Sequence, residues 1–272
     1  MTRPAPAPCP PATTAATMAG RVATLNLAPD HQRWDLRREL VVDQLAALPP
    51  EILAFQAICL PLQTGRWLQR MVRDRLGRPF ARRQQSHLNG SSLLEGEALV
   101  TRDPVVETAT GADRPLALVA QGVRRDLEGR GLAVSVPHRD RSRADAALRR
   151  SQVQPLLAWM QRRDEVEARV VCGDGPATRE RPAAPPMARG VRPTPTAPTA
   201  VTPLPDTEGR VSHPSWARVD RGIDDLWVAG PLAVRARGGG FDTPSATDPT
   251  WWPSDHAGVW ADLTFVSRRR PA

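Results

Sequence analysis

The chain has 272 residues, 40% of them hydrophobic and 24% charged, with a formal net charge of +8, enough for one large domain or two small ones around a sizeable core. No apolar stretch approaches the ~20 residues of a helical membrane span, and the Pro/Ala/Thr-rich start lacks the basic-then-apolar order of a secretory signal, so the expectation is a cytoplasmic protein. The positive balance argues for a polyanionic partner, but only in part: Lys and Tyr are absent while Arg, Ala, Pro and Gly abound, the pattern of a G+C-rich genome, so some of the charge is composition.

Residues 1–19 carry too little bulky apolar surface to offset the entropy of ordering and read as disordered, with Met18 as an alternative start. Arg21 to Leu27 alternates Val22, Thr24 and Asn26 against Ala23, Leu25 and Leu27, a strand with one strongly apolar face and the Asn26 amide near the end of the other. From Trp34 to Leu48, Leu36, Leu40, Val41, Leu45 and Leu48 recur at helical spacing and Pro49-Pro50 stops the helix. Ile52 to Ile58 is a short buried strand, so strand, helix and strand form a layered α/β unit. A second helix, Thr64 to Leu76, is closed by Gly77. Strand candidates follow near Phe80, at Glu97 to Thr101, at Leu116 to Val123 and at Gly131 to Val136, with a turn at Arg102-Asp103-Pro104.

His138 comes directly after a strand, and a helix kinked at Pro155 is expected from Ala144 to Met160. Val170 to Cys172 is a core strand from which Gly173-Asp174 turns out. Residues 177–214, rich in Pro and Thr, read as a poorly ordered excursion. Strands resume at Ile223 to Val228 and Leu232 to Val234, and a loop at Gly238 to Gly240 leads to Trp251-Trp252-Pro253. Then Ser254-Asp255-His256 places a carboxylate and an imidazole at the mouth of a closing alternating run. Cys9, Cys59 and Cys172 have no metal-ligand spacing and read as reduced thiols. His31, His87 and His213 read as loop residues on the surface.

In this order the pieces Val-Ala-Thr-Leu-Asn-Leu at 22–27, Leu-Ala-Phe-Gln at 53–56, Gly-Glu-Ala-Leu-Val-Thr-Arg-Asp-Pro at 96–104, Val-Ser-Val-Pro-His at 134–138, Val-Val-Cys-Gly-Asp at 170–174, Arg-Gly-Ile-Asp-Asp-Leu-Trp-Val at 221–228 and Ser-Asp-His-Ala-Gly-Val at 254–259 resemble the endonuclease/exonuclease/phosphatase superfamily. The resemblance covers residues 20–266, leaving 267–272 as a basic tail. It implies a deoxyribonuclease-I-like α/β fold, a four-layer sandwich of two mixed β-sheets flanked by helices, with the active site in the cleft at the strand ends. It also implies metal-assisted phosphoester hydrolysis with Mg²⁺ or Mn²⁺, on a phosphoester substrate among which nucleic acid is a candidate.

Carried over by resemblance, Asp174 orients or activates the attacking water and His256 faces the phosphate. Asp224 fixes the His256 tautomer and His138 donates to a phosphoryl oxygen or the leaving group. Asp255 is a metal-side carboxylate, Asn26 helps hold the metal's water shell, and Trp252, flanking the Asp255-His256 loop, is a candidate substrate contact. The chain departs from the pattern where the family's metal-ligating Glu is Ala57, which implies weak metal binding. Gly175-Pro176, Val136-Pro137 and Asp225 also replace family residues. Two readings follow: a metal-dependent phosphoesterase with a degenerate site, in which Asp255, Asp174, Asp30, Glu95 or Glu97 substitutes for the missing acid, or a pseudoenzyme that uses the cleft to bind a phosphorylated ligand or a protein partner.

Overall fold

The computed structural model describes residues 17–27, 33–88, 94–102, 105–110, 117–122, 131–137, 166–174, 191–194 and 224–265. Its elements run β1 (Thr17–Asn26), α1 (Trp34–Ala47), β2 (Ile52–Cys59), α2 (Thr64–Leu76), β3 (Ala81–Leu88), β4 (Leu94–Thr101), β5 (Val105–Thr110), β6 (Ala117–Gly122), β7 (Gly131–Pro137), β8 (Val166–Asp174), β9 (Val191–Thr194), β10 (Asp224–Ala229), β11 (Leu232–Gly240) and β12 (Gly258–Phe265). They form two six-stranded mixed sheets, ordered β11-β12-β1-β2-β4-β3 and β5-β6-β7-β8-β10-β9. In each, one parallel pair (β1 with β2, β7 with β8) sits among antiparallel neighbours.

Strand alternation sorts the side chains into layers. Val22, Ile52, Ala54, Leu99, Val259, Ala261 and Leu263 of the first sheet meet Leu132, Val134, Val136, Val170, Cys172, Leu226 and Val228 of the second, forming the core between the sheets. Ala23, Leu25, Leu53, Phe55, Ala98 and Val100 face the other way and pack on Val41, Val42 and Leu45 of α1 and Leu68 and Val72 of α2. Trp34 and Trp67 meet edge to face where the two helices touch, with ring centroids 5.6 Å apart. The helix expected over 144–160 lies outside the described residues.

Several expectations are corrected. β1 begins at Thr17, inside the stretch read as disordered, because Thr17 and Met18 pair with Phe265 and Thr264 of β12. β5 was not anticipated. β9 falls within the Pro-rich stretch and pairs with β10. His87, read as a loop residue, lies in β3 opposite Glu95. Gly238 to Gly240, read as a loop, continue β11 against β12. A Cβ at Gly238 would come within 3.0 Å of the Trp260 ring, so the glycine leaves room for that indole rather than making a turn. On α1 the buried set is Trp34, Arg37, Val41, Val42 and Leu45, whereas Leu36 is exposed. Cys59 and Cys172 are buried free thiols.

Candidate functional site

The apolar alternation between the sheets stops at one level of the first sheet. Beyond Val22, Ile52 and Leu99, the same inward positions are Thr24 and Asn26 on β1, Gln56 on β2, and Glu97 and Glu95 on β4, all buried. Register places them side by side: Asn26 is opposite Gln56 across the parallel pair, and Glu97 is opposite Gln85 of β3. Pairing of β2 with β4 jumps from Phe55–Ala98 to Ile58–Gly96, so Gln56 and Ala57 together oppose Glu97 in a β-bulge. Ala57 takes φ 55° there, in the left-handed region.

Hydrogen bonds hold this row together. Gln56 Nε2 donates to Thr24 Oγ1 at 3.0 Å. Gln85 Nε2 donates to Glu97 Oε2 at 2.7 Å, while Gln85 Oε1 is buried and meets no donor among the described residues. Glu97 is 0% exposed. Burial pushes its carboxyl from the ordinary 4.5 up to about 8; neighbouring Glu95 adds to the rise and the Gln85 bond opposes it.

At the other end of the row the loop before β12 carries the Asp-His pair. Asp255 and His256 are 6% and 3% exposed, with His256 Nε2 4.0 Å from Asp255 Oδ1. Ser254 positions both: its Oγ donates to the Asn26 carbonyl at 2.5 Å, accepts from the His256 backbone N–H at 3.2 Å and lies 3.3 Å from Asp255 Oδ1. Gly258, where β12 begins, lies so close to β1 that a Cβ would sit 2.5 Å from the Thr24 carbonyl oxygen, so only glycine lets the loop enter here. Arg37 of α1 donates through one guanidinium nitrogen to the Leu27 carbonyl at 2.9 Å and the Pro253 carbonyl at 3.2 Å, tying the end of β1 to the Asp255-His256 loop. Trp252 is 8% exposed, and its indole nitrogen meets no acceptor among the described residues.

On the second sheet, Asp174 ends β8 and Asp224 opens β10, and their Cα positions are direct partners across the antiparallel pair. Strand β7 runs parallel to β8 with Ser135 opposite Val171, so the chain leaves β7 at the sheet end that carries Asp174 and Asp224. His138 itself lies outside the described residues. The structure thus brings Asn26, Ala57, Asp255 and His256 to one end of the first sheet, and Asp174 and Asp224 to one end of the second.

Two participants escaped the sequence reading. Arg37 falls three residues after Trp34 on the buried face of α1, where the apolar pattern had placed Leu36. Gln85 sits in β3, expected only as a strand near Phe80, where the polar sequence gives the residue no apparent role. Glu97 was only one of several candidate acids, although counting by twos from Leu99 assigns it to the inward face.

This architecture, two packed mixed sheets with helices on the outer face of one, is the deoxyribonuclease-I-like α/β sandwich of endonuclease/exonuclease/phosphatase proteins. Among solved structures, the chain is similar to a D. rerio TDP2 complexed with single-strand DNA product, at 13% identity and TM-score 0.65, covering 89% of this chain and 98% of that one. It is likewise similar to the human Nocturnin catalytic domain with bound sulfate anion, at 18% identity and TM-score 0.62, covering 96% and 100%. An endonuclease/exonuclease/phosphatase family protein from Bacteroides thetaiotaomicron aligns at 16% identity and TM-score 0.63 over 93% and 99%. No family model and no curated protein matches the sequence.

Proposed function

We propose that the chain is a divergent member of the endonuclease/exonuclease/phosphatase superfamily and a divalent-metal-dependent phosphoester hydrolase, its site formed where the polar ends of the two sheets face one another. The observation that carries this reading is the buried Ser254-Asp255-His256 turn, hydrogen-bonded to the carbonyl of Asn26. A loop with only a structural role gains nothing from burying a carboxylate and an imidazole together. The register pairing of Asp174 with Asp224 supports it from the second sheet.

The residues fit a Mg²⁺ or Mn²⁺ ion of the weakly held kind. Asp255 would offer a carboxylate and Asn26 an amide oxygen, donors that such an ion takes alongside waters, while the Ala57 side chain offers none. Such an ion, when bound, neutralises charge on the phosphoryl oxygens and the leaving group. The protein's own part is proton handling and placement. Asp174 accepts a hydrogen bond from the attacking water and aligns it with the phosphorus. His256 presents an N–H to a non-bridging oxygen, its tautomer fixed by Asp224, and His138 donates to a second oxygen or to the leaving group. Trp252, with its buried indole N–H, is a further donor for a phosphoryl oxygen. Single-stranded nucleic acid is the favoured substrate, because the similar TDP2 was solved with a single-strand DNA product and the chain is strongly basic.

The alternative, a pseudoenzyme binding phosphorylated ligands or a protein, is favoured by Ala57 in place of the principal metal ligand. Following release of nucleotides from a short single-stranded oligonucleotide, and of nitrophenol from a generic phosphodiester, across a Mn²⁺ titration separates the two. Metal-dependent turnover that disappears in Asp174→Asn is the expected result. Metal-independent or absent turnover with retained oligonucleotide binding would establish the binder.

A further inference from the structure

The row of inward polar residues on the first sheet has a carboxylate on β12's side, Asp255, and none on β2, where Ala57 stands. Its next carboxylate is one strand further on, at Glu97. Because Gln56 and Ala57 jointly oppose Glu97 in the bulge, position 97 is the direct cross-strand neighbour of position 57, about 5 Å away. Glu97 shares its face with Leu99, and hence with Asn26 and Thr24. Its carboxylate is oriented by the Gln85 amide at 2.7 Å. Gln85 then leaves its own Oε1 buried with no donor among the described residues, and Glu95 lies two residues away on the same face.

Taking the hydrolase reading as its basis, we infer that the metal-ligating carboxylate has moved from β2 to β4: Glu97, aligned by Gln85, holds the divalent cation together with Asn26, and the cation is displaced toward β4. The chemistry of the donors agrees. A carboxylate and an amide oxygen are hard oxygen ligands of the kind Mg²⁺ and Mn²⁺ take, alongside waters. An orphaned amide oxygen beside a buried carboxylate suits a cation better than it suits a closed protein core, where it costs stability. Gln85 acts as the partner that fixes the ligating oxygen, a role whose loss weakens metal sites roughly 10–100-fold.

The test is Mn²⁺ binding followed by the loss of the free-ion paramagnetic resonance signal on chelator-stripped protein, without substrate. Glu97→Gln, which is isosteric, should weaken Mn²⁺ binding by about tenfold or more with thermal unfolding still cooperative, and Gln85→Leu should weaken it less. The double variant Ala57→Glu/Glu97→Gln should regain most of the affinity by returning the carboxylate to the adjacent strand. If Glu97→Gln binds Mn²⁺ as the parent does while Asp255→Asn does not, the relocation is wrong and the hydrolase reading survives. If the parent binds no Mn²⁺ at millimolar concentration, both fall together.

Discussion

Leu99 and Glu97 lie two residues apart on β4, point to the same side and are both 0% exposed, yet they belong to regions built for different ends. Around Leu99 the inter-sheet face is Val22, Ile52, Ala54 and Val259, closed by the apolar residues of the second sheet. Around Glu97 it is Asn26, Gln56 and Gln85, with Asp255 and His256 at the far end of the row. The apolar region gains free energy from burial at about 25 cal/mol per Å². The polar region gives some back, since an uncharged carboxyl and an orphaned amide oxygen are poor fillers of a core. A sheet that could have continued in Val and Leu turns polar at one level, which the proposed site would require and stability does not.

Removing the chemistry while leaving the apolar region intact gives the largest effect. Asp174→Ala or His256→Ala should lower the rate of phosphodiester hydrolysis about 10²–10⁴-fold, with the melting curve little changed. The mirror experiment, Leu99→Ala, should cost about 2–5 kcal/mol of stability in a denaturant titration and reduce activity only through loss of folded protein.

Next is the pH dependence of the two regions. In metal-free protein the Glu97 carboxyl titrates near 8 when folded against an ordinary 4.5. The folded state therefore holds a proton that the unfolded state has released, and stability falls as pH rises from about 4.5 to about 8, then levels off. Denaturant midpoints across this range, in chelator, should show wild-type losing up to a few kcal/mol relative to Glu97→Gln. Parallel curves would place the carboxyl in a less desolvated setting. Arg37→Met, which leaves the carbonyls of Leu27 and Pro253 without that donor, should cost about 1–3 kcal/mol and lower kcat more than it raises KM, because the turn bearing His256 loses an anchor. Smallest of all, Leu36→Ala on the exposed side of α1 should stay within about 0.5 kcal/mol.

What was legible in the sequence follows the same division between inside and edge. Inner strands β1, β2, β4, β7, β8 and β12 carry mostly buried apolar residues and read as apolar runs, and the expected bounds of α2 match because Gly77 closes it with φ 63°. The poorly read strands are the four sheet edges. β3, Ala-Arg-Arg-Gln-Gln-Ser-His-Leu, has almost no apolar signal and is a strand because β4 pairs with it. β9 contains Pro193, which only an edge tolerates. β5 lies outside the expected strands, and β11 continues through glycines that read as a loop. Of the candidate site, the Asp-His pair and the strand-end acids stand out in the sequence because each interrupts an apolar run. Arg37 and Gln85 do not, because their meaning depends on which carbonyl or carboxylate the fold brings to them.

The most direct test of the central claim is an anomalous difference map from crystals grown with Mn²⁺. The account predicts a peak about 2.0–2.3 Å from a Glu97 carboxylate oxygen, at the end of the first sheet that holds Asn26. A peak bound elsewhere, or a saturated crystal with none at this end, would contradict it.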